Sequence, residues 1–285
     1  MNITVIGETN IDIRVKTQGQ AKEGGCTPSA ITFHLGGVAR NIAFNLRQMN
    51  HNVRLMTMFG DDDYANRLRQ DCEDKGIDLS LSDTKSGFHS PYFLSHIDAI
   101  GNVNSAFSDM EINNLMNKEW IERKISEINR ADVVVADTLL DAEALAFLFD
   151  HCKAPVFIDT VSPNKAVRLT EALKMAKRGI IALKCNEREA FAMTHLSDTK
   201  ASALALHSMG IEHVYITIGA DGVIYSDGTD TTHAPALPAK VVNVMGSGDA
   251  FLAGIVDAFS QGKKGEAALP YGLAASKIVI ESREG

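Results

Sequence analysis

Long apolar runs are missing from this chain. No stretch reaches the roughly 20 residues of a membrane span, and the amino terminus opens on a strand pattern, Asn2-Ile-Thr-Val-Ile-Gly7, where a signal peptide is basic and then apolar. A cytoplasmic protein with no membrane partner is expected. Cysteine is scarce: Cys26, Cys72, Cys152 and Cys185 stand far apart with no paired spacing. That pattern suggests neither a zinc site nor a disulfide framework, and it fits a reducing compartment. The nine histidines show no ligand spacing. Positive charge is in deficit, and a formal charge of −8 argues against a nucleic-acid partner held through phosphate contacts. It leaves room for a small anionic ligand, because a local backbone site can hold phosphate within an acidic protein. Repeats and low-complexity segments are absent too.

What the chain does have is two alternating patterns. Its 285 residues suffice for one large core, or one core with a small appendage. Ile11-Asp-Ile-Arg-Val-Lys16 and Ala30-Ile-Thr-Phe-His-Leu35 alternate apolar and polar residues as half-exposed strands do, with a glycine-rich turn region, Gln18 to Pro28, between them. Tyr92 to Ile97 and Val103 to Phe107, joined by Asp98-Ala-Ile-Gly-Asn102, read as a hairpin able to complete a small sheet with them. Short apolar runs follow the other pattern: Val53 to Thr57, Val133-Val-Val135, Val156-Phe-Ile158, Ile180-Ile-Ala-Leu183 and Val214-Tyr-Ile-Thr-Ile218. Helices near 38–49, 61–75, 119–129, 141–151, 164–177 and 187–208 separate them, the last broken around Ser197-Asp198. Such strands, buried on both faces, predict a parallel sheet covered by helices, with ligands at the carboxyl ends of the strands. Asp137, Asp159, Lys184, Asn186 and Thr217 all close or follow those strands. Asp137 and Asp159 either face the crevice or cap the next helix.

The stretch Asn243-Val-Met-Gly-Ser-Gly-Asp249 concentrates the chemistry. A short apolar run, Val241 to Val244, leads into a Gly-Ser-Gly turn, and Ala250 to Phe259 then reads as a buried helix. Glycines at 246 and 248 let successive amides converge on an anion at the positive end of that helix. Asp249 is a carboxylate beside an anion site, which suits a base that takes a proton from a nucleophile attacking a bound phosphate. An ordinary tight turn with a helix-start aspartate is the alternative reading of these seven residues alone.

Taken with three other segments, these residues resemble the ribokinase family, also called the phosphofructokinase-B carbohydrate kinases, over essentially the whole chain. Gly36-Gly-Val-Ala-Arg-Asn41 is similar to the first family signature, and Val244-Met-Gly-Ser-Gly-Asp-Ala-Phe-Leu-Ala-Gly254 to the second. Asn186-Glu-Arg-Glu189 matches an Asn-x-x-Glu motif, and Thr217-Ile-Gly-Ala-Asp-Gly222 a Thr-x-Gly-x-x-Gly motif. Within the family the resemblance is to the pseudouridine-kinase branch, carried by residues 36–46, by Ser108-Asp-Met-Glu-Ile-Asn113, by Val156-Phe-Ile-Asp-Thr-Val-Ser-Pro163 and by Gly222-Val-Ile-Tyr-Ser-Asp227. The implied fold is α/β: a ribokinase-like three-layer sandwich with a mostly parallel central sheet flanked by helices. It forms a single domain, 1–285, whose β-sheet lid draws strands from about 11–35 and 91–107.

The resemblance implies an ATP-dependent kinase acting on the 5′-hydroxyl of a nucleoside, pseudouridine first, with ribose or another ribonucleoside as the alternative acceptor. A non-catalytic sugar-binding regulator is the alternative from another class. Asp249 is the implied catalytic base, and Gly246, Ser247 and Gly248 form the anion hole. Asn10, Asp12, Gly36, Gly37 and Asn41 bind the acceptor, and Asp109 either joins them or is a turn residue, as Asn113 is either a contact or a cap. Lys184, Asn186, Thr217, Gly219 and Gly222 bind the nucleotide. Glu189 holds Mg2+ through water. The lid suggests a homodimer. Three departures from the family stand out: Asn243-Val244 replaces an Asp-Thr pair that helps bind a monovalent cation, which puts K+ activation in doubt. Cys185 replaces a proline, and relatives usually continue past residue 285 with a segment near the adenine and cation sites.

Overall fold

A computed structural model describes residues 1–19, 24–98, 100 and 103–282. Parts of the turn between Gln18 and Pro28, and of the connection between Asp98 and Asn102, lie outside the described residues.

The apolar runs form an eight-stranded sheet. Asn52–Met56, Asn2–Ile6, Val133–Asp137, Val156–Asp159, Ile180–Asn186 and Ile211–Thr217 lie side by side, all parallel, in that order. Each sends alternate residues into opposite layers. Val133 and Val135 pack with the helices Val38–Gln48 and Ser247–Ser260, while Val134 and Ala136 pack with the helices on the other face. Both faces are buried, so each fully buried Val, Leu or Ile contributes about 1.5–3 kcal/mol, and the run needs no polar alternation. Two antiparallel strands not foreseen from the sequence, Val223–Ser226 and Thr231–Ala234, close one edge.

Helix boundaries follow local chemistry. Asp62, Asn117, Asp141 and Asp198 each accept a backbone N–H from the first turn of the helix they precede. The broken segment resolves into Glu187–Thr194 and Thr199–Ser208. The apolar run 241–244 is neither strand nor core: Val241 and Val244 are 68% and 62% exposed. It lies against the last helix, Leu269–Glu281, through N–H donation from Val242 and Asn243 to the Ile280 carbonyl.

The small sheet is as expected, in the order Ser29–Gly36, Asn10–Thr17, Tyr92–Ile97, Val103–Asp109. Its register sorts the two faces. Phe33, Ile13, Leu94 and Phe107 form one cross-strand row, and His34, Asp12, Phe93 and Ser108 form the adjacent row on the opposite face. In the large sheet Asn2–Ile6 has its sequence successor on one side and Val133–Asp137 on the other. Chain progression reverses there, which opens a crevice at the carboxyl ends.

Candidate active site

The helix Ser247–Ser260 begins at Gly246, whose φ of 75° is left-handed and turns the chain sharply into the helix. Among the first N–H groups, Ser247 donates a long bond of 3.4 Å to the Val244 carbonyl. Gly248 and Asp249 stand in the first turn, where a helix leaves its amides without internal partners. Beneath them lies Lys184. A side chain at Gly248 would put its Cβ 2.7 Å from Nζ of Lys184, so the glycine is what lets an ammonium approach the turn.

Asp159 holds that ammonium at 2.9 Å, and both groups are buried. Burial works against the Lys184 charge, but the carboxylates of Asp159, Glu189 and Asp249 outweigh it and keep the ammonium above the ordinary lysine range. Asp249 shows the converse. Burial and the nearby Asp159 charge push its carboxyl up to about 7, against the lowering effect of Lys184 and of a hydrogen bond from Asn41. That bond, Asn41 Nδ2 to Asp249 Oδ2, is 2.9 Å long. Asn41 Oδ1 in turn accepts from Arg40 Nη1 at 3.1 Å, which orients the amide.

Across the crevice Asn10 Nδ2 donates to Asp12 Oδ1 at 2.8 Å. Asn10 Oδ1 is buried without a partner. A Cβ on Gly36 would lie 2.5 Å from Asp12 Oδ2 and 2.9 Å from Asn10 Oδ1, so two acceptor oxygens converge over a bare backbone. Gly37, with φ of 105°, starts the helix that carries Asn41. Burial raises the Asp12 carboxyl, partly offset by Asn10 and by the charges of Arg14, His34 and Arg40.

Two cavities flank the glycine turn. One of about 480 Å³ is walled by Asp12, Arg14, His34, Gly36, Asn41 and Gly246. The other, about 130 Å³, is walled by Thr217, Gly219, Gly222, Ser247, Gly248 and the helix residues Leu273 and Ser276. Gly246 lines the first and Ser247 and Gly248 the second, so the turn stands between them. Ser276 Oγ donates to the Ser247 carbonyl at 2.8 Å, which ties the last helix to the turn.

Asn186 and Glu189 close a capping box: Glu189 accepts from the Asn186 N–H at 2.8 Å and Nδ2 at 2.7 Å, and from Thr160 Oγ1 at 2.7 Å. Its carboxylate is 3% exposed. Three protein donors surround it, so it fits a metal only in an outer shell. Asp109 does not join the site. Its register places it on the face opposite Asp12, where its carboxylate lies 3.3 Å from His89 Nε2. Asn113 likewise turns inward, donating to Glu8 Oε1 at 3.3 Å.

Glu8 was not singled out by sequence. It is buried, and desolvation with the charge of Asp137 pushes it up to about 8. Asp137 accepts the Glu8 and Leu139 N–H groups at 2.9 and 3.0 Å, and burial pushes it up to about 7. The available signal was a second carboxylate at a strand end, in Gly7-Glu-Thr-Asn10.

A glycine turn between two cavities, with a buried carboxylate in the first helical turn, suits phosphoryl transfer. The whole chain, residues 1–285, matches the pfkB family carbohydrate kinases, and it belongs to that family: it is a phosphotransferase acting on a sugar or nucleoside. It is 32% identical over 268 residues to a pseudouridine kinase of Escherichia coli, covering 91% of this chain and 84% of that one. A ribokinase of Bacillus subtilis is 25% identical over 286 residues, covering 98% and 92%. The structure of a ribokinase from Thermotoga maritima superposes with a TM-score of 0.85 at 23% identity, covering 99% of this chain and 93% of that chain, and shares the fold.

Proposed function

We propose that the protein phosphorylates the 5′-hydroxyl of a nucleoside with ATP, pseudouridine being the acceptor the similarity favours. The observation that carries the reading is the turn 246–248 standing between the two cavities. The larger one takes the acceptor. Asp12 Oδ2 and the unpartnered Asn10 Oδ1 accept from vicinal ribose hydroxyls, and Gly36 leaves room for them. The smaller one takes the adenine nucleotide, with Thr217, Gly219 and Gly222 along it. Asp249 then removes the proton of the attacking hydroxyl as the phosphorus–oxygen bond forms. The amides of the turn and the Lys184 ammonium stabilise charge on the transferring group.

Magnesium would neutralise phosphate charge, its waters reaching Glu189 and Asn186. A monovalent cation is not supported by the residues present. Asn243 has no carboxylate to offer, and its Oδ1 is taken by the Met245 N–H at 3.0 Å. Residues 1–285 act as one unit in this reading. The small sheet serves as a lid that keeps water from competing as acceptor, and its exposed apolar row pairs two copies of the chain in the cytoplasm.

Coupled ADP release on pseudouridine, uridine, adenosine and ribose tests the assignment. The highest kcat/KM is expected with pseudouridine. Faster turnover of ribose would remove the nucleoside from the account, and no ADP release with any of the four would remove the reaction.

A further inference from the structure

We propose that Arg14 is a catalytic residue, its guanidinium holding the transferring phosphoryl group from the small-sheet side of the crevice. The inference rests on the kinase reading and adds to that site a cation carried by the lid.

Arg14 lies on the strand Asn10–Thr17, two residues beyond Asp12, so both side chains leave the same face of the small sheet. Its cross-strand neighbours, Thr32 and Ser95, are uncharged. The side chain is half-buried and reaches the residue that precedes the glycine turn, where Nη2 donates to Sδ of Met245. Arg14, Met245 and Gly246 wall the same cavity of about 480 Å³ as Asp12 and Asn41.

The arginine and lysine side chains of that cavity differ in what holds them. Arg40 and Lys75 share the carboxylate of Asp71. Arg14 enters no ion pair among the described residues. Its charge is felt by Asp12, whose own bond is to Asn10. A thioether is a weak acceptor, so the guanidinium retains its capacity for an anion, and its planar fork matches two oxygens of a phosphoryl group.

In the transfer the 5′-oxygen bonds to phosphorus, the bond from phosphorus to the ADP oxygen breaks, and the hydroxyl proton goes to Asp249. Charge spreads over the three equatorial oxygens as this happens. Lys184 meets them from beneath the turn, and Arg14 meets them from the small sheet, giving up the sulfur and exchanging no atom with the substrates. One strand thus carries both the carboxylate that binds the acceptor and the cation that stabilises the transfer, which ties acceptor binding to catalysis.

Steady-state ADP release by the full chain, with ATP and whichever of pseudouridine, uridine, adenosine and ribose turns over fastest, compares the wild type with Arg14→Ala and Arg14→Lys. Arg14→Ala should lower kcat by about 10²–10³-fold, the scale of losing one preorganised donor to developing charge, with the KM for the acceptor changed only a few-fold. Added guanidinium chloride, kept below denaturing concentration, should restore part of that loss, and Arg14→Lys, which keeps the charge without the fork, should fall between the two. Melting curves check that the variants are folded. A kcat for Arg14→Ala within a few-fold of an active wild type would overturn this role and leave the kinase reading standing. A loss that neither guanidinium nor Arg14→Lys lessens would mark a structural effect and overturn it as well. A wild type that releases no ADP with any acceptor would remove the kinase reading itself, and this role with it.

Discussion

Asp249 sits with its carboxyl pushed up to about 7 by burial and by the charge of Asp159, which gives the reaction an acid limb near neutrality. As the proposed base, it works only when ionised. The account therefore expects kcat/KM to fall about tenfold per pH unit below that point. Asp159→Asn removes a negative neighbour, so the limb should move to lower pH; a limb that stays in place would show that another group titrates. Stability carries the opposite sign. The folded pKa exceeds the ordinary 3.8, so between about 4 and 7 the folded chain binds more protons than the unfolded one. The contribution of this group is thus fully present below about 4 and is lost as pH rises through about 7. Asp249→Asn should raise the melting temperature relative to the wild type more at pH 8 than at pH 5. An equal change at both would contradict the raised pKa.

At the scale of elements, the helix Ser247–Ser260 and the strand that ends in Lys184 meet at a glycine. Gly248→Ala sets a methyl against Nζ of Lys184, and with that ammonium in its proposed phosphate-holding role, a displacement of about 1 Å lowers kcat/KM by roughly 10²-fold. Alanine is also the better helix former, by about 1 kcal/mol. Activity should therefore drop while the melting temperature holds or rises; unchanged kcat/KM would show that Lys184 does not serve the turn. Much of this level was legible in the sequence, because strands buried on both faces are unbroken apolar runs and helix starts are marked by Asp and Asn. The edge pair Val223–Ser226 and Thr231–Ala234 was not. Thr231-Thr-His-Ala234 has no apolar face, and its pairing comes from a neighbouring strand. Val241 to Val244 departs from the rule that apolar runs are buried: it is exposed, held by two hydrogen bonds to the Ile280 carbonyl.

At the scale of the molecule, the site joins segments from both ends of the chain, and its legibility varied accordingly. Gly246 and Asp249 lie in one compact glycine motif legible from spacing, whereas Gly36 and Asn41 were marked by the resemblance to a family signature. Leu273, Ser276, Arg14 and His34 enter the cavities only through tertiary packing. For Asp109 the sequence left a substrate contact and a turn residue both open, because one residue of register turns a strand side chain to the opposite face. That same alternation leaves Phe33 and Phe107 at 53% and 64% exposure in one row of the small sheet. If this row pairs two copies, Phe33→Asp combined with Phe107→Asp should convert a sedimenting dimer to monomer; a wild-type monomer at working concentration would end the idea.

The central claim is that Asp249 takes the proton of the acceptor hydroxyl, and steady-state ADP release by Asp249→Asn with pseudouridine and ATP measures it most directly. The account predicts a fall in kcat of about 10²–10⁴-fold with the KM for ATP little changed. Turnover within a few-fold of the wild type would contradict it.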